Sequence, residues 1–143
     1  MRQFAVLAAL CVALVGCREV RVKTYSQGTT LVAGPSAITI VRSDRELAAL
    51  GIEAPVRFRH EFGAVLLMGP HKESGFHQVI ESIRANDDRV RIVAFETQSI
   101  DNEPTREYRT YTLWIVPNSV YRSGSHVDVV TPSGEPVAST TLR

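Results

Sequence analysis

Cysteine is scarce: the 143-residue chain has two. Two thiols cannot build the disulfide framework of a small secreted domain. Neither sign of charge dominates, with 16 Lys and Arg against 15 Asp and Glu. A protein that holds nucleic acid by neutralising phosphates needs a basic excess, so no nucleic-acid partner is expected. No apolar run reaches the ~20 residues that a membrane-spanning helix needs. The chain also lacks Gly-x-Ser-x-Gly, a phosphate loop, His-Glu-x-x-His and a dinucleotide fingerprint. Without them we expect no enzyme, no cofactor and no small-molecule substrate. What remains is ordinary globular material, 44% hydrophobic and 22% charged, of a length that suits one folded domain.

The most informative stretch is the first. Arg2 precedes an apolar run over residues 4–15, and small residues close it. This is the layout of a secretory signal peptide. Basic and polar residues follow at once, among them Arg18, Glu19, Arg21 and Lys23.

The segment Leu14-Val15-Gly16-Cys17 resembles the lipobox of bacterial lipoproteins. The resemblance implies that Cys17 receives a thioether diacylglycerol. It also implies cleavage between Gly16 and Cys17, where a small residue lets the peptidase reach the bond. The alternative is a chance cysteine after an ordinary signal peptide. Cleavage would remove Arg2 and bring the 16 basic residues level with the 15 acidic ones. It would also remove Cys11, and lipidation would block Cys17, leaving no free thiol for catalysis or metal binding. Two or more acyl chains satisfy the two-signal rule for stable membrane anchoring. Arg18, rather than Asp, follows the cysteine. By the sorting pattern of such lipoproteins this implies a bacterial cell-envelope address, on the outer membrane if the cell is Gram-negative.

Three parts are therefore expected: a signal peptide over 1–16, a lipidated Cys17 with tether over 17–35, and one β-rich domain over 36–143. The tether mixes charge with Gly and Pro. Val20, Val22, Tyr25 and Leu31-Val32 leave room in it for a short edge strand. Residues 37–41 alternate like a strand. Ser43-Asp44-Arg45-Glu46 is a capping box, in which Ser43 accepts from the Glu46 N–H and the Glu46 carboxylate reaches back to the Ser43 N–H. It opens a short helix over 44–50, closed by Gly51, with Leu47 and Leu50 inward. Residues 63–69 suit a strand buried on both faces. Strands are also expected over 76–84, 89–97, 107–116, 126–131 and 137–142. A turn at Asn86-Asp87-Asp88, a polar loop over 99–105 and a hairpin loop over 132–136 separate them. The fold class is mainly β, a small antiparallel barrel or sandwich with one short helix after the first core strand.

Over residues 36–130 this order of elements resembles the C-terminal domain of PrcB-like protease-complex proteins. Three segments carry the resemblance: Ser43-Asp44-Arg45-Glu46-Leu47; residues 63–76 with their closing Gly75-Phe76; and Thr110-Tyr111-Thr112-Leu113-Trp114-Ile115-Val116-Pro117. Glu73-Ser74 replaces the Thr-Gly usual there, and Thr112-Leu113 replaces Pro-Tyr. The resemblance implies a lipoprotein or envelope domain that binds and supports a protease complex. It implies no catalytic residues.

Among single sites, His71, Lys72, Glu73, Ser74, Gly75 and Phe76 form the candidate protein-contact loop. Function often sits on loops held by rigid elements, and Gly75 offers a backbone angle closed to other residues. The plain alternative is a solvated hairpin connection with Phe76 in the core. Such a Gly-aromatic loop also resembles those of chagasin-like inhibitors of cysteine proteases, which plug an active-site cleft. His60, His71, His77 and His126 lack zinc-site spacing, so no metal is expected. Asp87-Asp88 and Glu103 with Glu107 read as turn and solvated edge. Tyr108 and Trp114 should share one strand face and Tyr111 the other, with Tyr121 nearby. The expected partners are a membrane, through the lipid, and another envelope protein, a protease complex by the resemblance; the alternative is a structural envelope lipoprotein without a specific partner.

Overall fold

Strands and short turns account for most of the computed structural model, which describes residues 18–19, 24–120 and 122–143. The expected signal peptide, Gly16, Cys17 and Tyr121 lie outside the described residues. In chain order the elements are β1 (Arg18–Glu19), β2 (Thr24–Thr30), β3 (Ala37–Val41), α1 (Asp44–Ala49), β4 (Glu61–Glu73), β5 (Phe76–Ala85), β6 (Arg89–Gln98), β7 (Pro104–Pro117), a 3-10 turn (Asn118–Val120), β8 (His126–Val130) and β9 (Pro136–Thr141). They form two sheets, ordered β1-β5-β6-β8-β9 and β2-β7-β4-β3. Of the two expected architectures, barrel and sandwich, the chain adopts the sandwich.

The apolar run of β4 organises the layers. Successive strand residues face opposite ways. Phe62, Leu66 and Met68 therefore enter the cluster between the sheets, with Ile38, Trp114, Ile92 and Val129. Val65 and Leu67 point the other way, into a second cluster with Val41, Leu47, Ile52 and Leu113. Helix α1 and residues 52–58 cover that second face. β4 is thus buried on both sides, as its sequence demands. Gly63 belongs to the second face. A Cβ there would lie 2.5 Å from Val41 Cγ2 and 3.2 Å from Leu113 Cδ1, so only glycine lets these side chains close over the strand.

α1 has the caps its sequence implies. Ser43 Oγ accepts from the Glu46 N–H at 3.1 Å. At the other end the Gly51 N–H bonds to Ala48 O and the Ile52 N–H to Leu47 O, a Schellman closure. One detail differs from the expected capping box. The Glu46 carboxylate accepts from the Arg42 N–H at 2.5 Å, one residue earlier than Ser43.

The topology follows from two corners. β4 passes through Ser74 and Gly75 into β5, leaving one sheet for the other. β6 returns through residues 99–103 into β7. β4 pairs with β7 and β5 with β6, both antiparallel. A long two-stranded ribbon is thereby folded once across its middle. Because β7 carries the chain back in the opposite sheet, β8 starts beside the start of β6. The ladder Arg89↔His126 to Val93↔Val130 is accordingly parallel. The antiparallel expectation holds for every other pairing among the described residues.

Residues 24–30, within the expected tether, form the edge strand for which the sequence leaves room. β2 pairs with β7 from Thr24↔Trp114 to Thr30↔Arg109, and β1 pairs with the end of β5. β2 is a polar edge strand held by its ladder and by side-chain bonds, such as Thr30 Oγ1 to Leu50 O at 2.6 Å, so it leaves no apolar period to read. One expectation is corrected: residues 70–76 are not a free hairpin loop. Pro70 to Glu73 still belong to β4, because pairing with β7 runs on through His71↔Tyr108 and Glu73↔Pro104.

Candidate functional site

The corner where both sheets meet gathers all the candidate loop residues. Lys72 and Glu73 are exposed at its rim; His71, Ser74, Gly75 and Phe76 are half-buried. His71 stacks on Phe76, with ring centroids 3.8 Å apart and planes 9° from parallel. Its Nε2 lies 2.7 Å from Glu96 Oε2. The Tyr108 hydroxyl donates to Glu73 O at 2.6 Å, locking β7 under the bend. The charged rim is therefore carried by a fixed strand bend, not by a mobile tip.

The second corner is stitched to the first. The Ser74 N–H donates to Glu103 O at 2.8 Å and the Ser99 N–H to Gly75 O at 2.9 Å. The Glu103 N–H donates to Ser74 Oγ at 2.9 Å. Gln98 Nε2 reaches Glu73 Oε2 at 3.1 Å. Between these fixed points residues 99–103 rise into solvent, and Ile100 at their crest is 98% exposed. Asp101 follows it and Glu103 closes the loop, so an apolar knob stands beside two carboxylates. Sequence reading passes over Ile100 because one apolar residue in a polar loop makes no period.

Behind the corner a polar network crosses between the sheets. Thr110 Oγ1 donates to Glu96 Oε2 at 2.7 Å, sharing that oxygen with His71. Gln78 Nε2 donates to Thr110 Oγ1 and to Leu66 O, each at 3.1 Å. Thr112 Oγ1 donates to Gln78 Oε1 at 2.6 Å and accepts from Gln27 Nε2 at 2.9 Å. Gln78 is 6% exposed, and every polar atom of its side chain is engaged. In a low-dielectric interior such satisfied networks fix one arrangement of the strands. His71 and Glu96 are spent on this joint. His77 sits at an exposed position of β5 and does not join His71.

Other expected positions fall elsewhere. Tyr108 and Trp114 are buried between the sheets, and Tyr111 packs on the opposite cluster. Trp114 Nε1 is buried without a hydrogen-bond partner. Arg109 is a buried cation. Its guanidinium donates to Val32 O, Pro35 O and Ala33 O at 3.0, 2.9 and 3.3 Å. Burial pushes its pKa below the usual arginine value. An open groove of about 400 Å³ on the outer face of the other sheet is lined by Arg89, Arg91, Asp128, Val130 and Ser139, among others. Arg89 Nη1 and Asp128 Oδ2 face each other there at 3.4 Å.

No family model, curated protein or solved structure matches the chain.

Proposed function

We propose that the chain is an exported bacterial lipoprotein, acylated at Cys17, whose β-sandwich binds another protein of the cell envelope through the stitched corner. The observation that carries this reading is Ile100, almost wholly exposed on a loop fixed at both ends. A rigid loop loses little entropy on docking, and a central apolar anchor is the usual source of affinity at an interface. The acidic neighbours Asp101 and Glu103 suit a pocket with a basic rim. The partner class follows from the PrcB-like segments: an exported protease complex, which this domain would support as an accessory subunit.

A second reading draws on the same loop. A fixed crest with one protruding side chain is suited to entering a cleft, so the domain would inhibit a protease by loop insertion. Pull-down of the native lipoprotein from envelope extract, with protease activity measured on the complex, separates the two. Retained activity supports the accessory subunit; lost activity supports the inhibitor. In both cases Ile100→Lys is expected to weaken capture at least tenfold, about 1.4 kcal/mol. A folded Ile100→Lys chain that captures its partner as well as the parent sinks the contact reading.

A further inference from the structure

We infer that the end of the sandwich opposite the corner is a membrane-docking surface that rests on anionic phospholipid headgroups. The inference rests on acylation of Cys17 and goes beyond it, since it fixes which way the domain faces. β1 pairs Arg18 with Ala85 and Glu19 with Arg84, so the chain enters the fold at the last residues of β5. The peptide bond holds Cys17 within about 3.8 Å, Cα to Cα, of a residue already in the sheet. No slack chain separates an acyl anchor at Cys17 from the folded domain. The end that carries Ala85 must then lie at the lipid surface.

The residues of that end suit the headgroups. Its parts are tied together: the His126 N–H donates to Asp88 O at 2.8 Å, and the Leu142 N–H to Ser125 O at 2.9 Å. The Arg42 guanidinium donates to the Arg143 carbonyl. Arg42, Arg84, Arg89, Arg122 and Arg143 are exposed there, with exposed Asp87, Asp88 and Glu46 beside them and Asp128 3.4 Å from Arg89. Basic side chains near an anionic leaflet are drawn to its headgroups. The Ile100 corner lies at the other end of β5. Ten strand residues at about 3.3 Å each put it about 30 Å away along the strand. Docking the Ala85 end, with its exposed arginines on headgroup phosphates, points the Ile100 corner away from the bilayer.

Fluorescence quenching reads this orientation directly. Removal of Cys11 with the signal and acylation of Cys17 leave no native thiol, so Asp87→Cys and Asp101→Cys can each carry one environment-sensitive label. The acylated full-length protein is reconstituted in phosphatidylcholine and phosphatidylglycerol vesicles that contain a nitroxide-bearing lipid. The expected result is loss of fluorescence at position 87 and none at 101. Reversing Arg84 and Arg122 to Glu should weaken the loss at 87; an unchanged loss overturns the headgroup contact. Equal quenching at both positions, or none at 87, in a chain that mass spectrometry shows acylated overturns the docking surface and leaves the anchored reading standing. Absence of acyl chains from Cys17 overturns both.

Discussion

Gly75 has φ of +90°, and a Cβ placed on it would meet Ser99 Cβ at 3.1 Å and Ser99 N at 3.2 Å. Both the backbone angle and the crowding belong to the stitch between the corners. A left-handed conformation costs a non-glycine residue about 1–3 kcal/mol when the surroundings enforce it. Gly75→Ala is therefore expected to lower stability by about that amount, read as a shift in the denaturant midpoint with an unchanged slope. The position is one of structure first. Loss of binding without loss of stability would move Gly75 from the joint to the contact itself. Gly75 was readable from sequence as a special backbone position because glycine beside an aromatic, between two apolar runs, has few other uses. Ile100 was not, because exposure is a property of the folded corner and no local pattern encodes it.

At the scale of elements, the strong periods were legible and the polar joints were not. β4, the cap of α1 and the turn at 86–88 each carry their cause within a few neighbouring residues. β2 does not: its partners lie about the middle of β7, and its side chains are Thr, Tyr, Ser and Gln. The connection from β2 to β3 depends on a residue still further off. Arg109 holds the carbonyls of Val32, Ala33 and Pro35, so residues 31–35 lie on the sheet as a strap. Hydrogen bonds to a charged group contribute about 1.5–3 kcal/mol each, with strong non-additivity. Lysine keeps the charge but cannot present the planar fork that reaches three carbonyls at once. Arg109→Lys is expected to cost about 2 kcal/mol. It should also speed amide exchange over residues 31–36 more than over the centre of β4. Uniform exchange would show that the strap is held by something other than Arg109.

Across the whole molecule the two sheets are joined by unlike means at their two ends. Toward β8 and β9 the joint is apolar, with Ile92, Val127, Val129 and Leu142 against Phe62 and Trp114. Toward the corner it is polar, and Gln78 is its hub. Apolar packing tolerates small shifts, whereas a satisfied polar network admits one register. The end that presents Ile100 is therefore the end whose strand positions are most sharply defined, as a preformed contact surface needs. Gln78→Ala removes the hub: the Thr112 hydroxyl loses its acceptor, and Thr110 Oγ1 and the Leu66 carbonyl each lose a donor. An unsatisfied buried hydroxyl costs about 1–3 kcal/mol and each further lost hydrogen bond about 1 kcal/mol, so a loss of about 3 kcal/mol is expected. The distribution matters more than the sum. If the polar joint positions the corner, Gln78→Ala should raise amide exchange at Ser74, Gly75 and Ser99 and weaken partner capture beyond the fraction unfolded. Amides of Val127 and Val129 should lose only the protection that the global stability loss takes from all residues. A variant that stays folded, loosens no faster at the corner than at β8, and binds as the parent does would show that the contact surface is held by its own stitches alone.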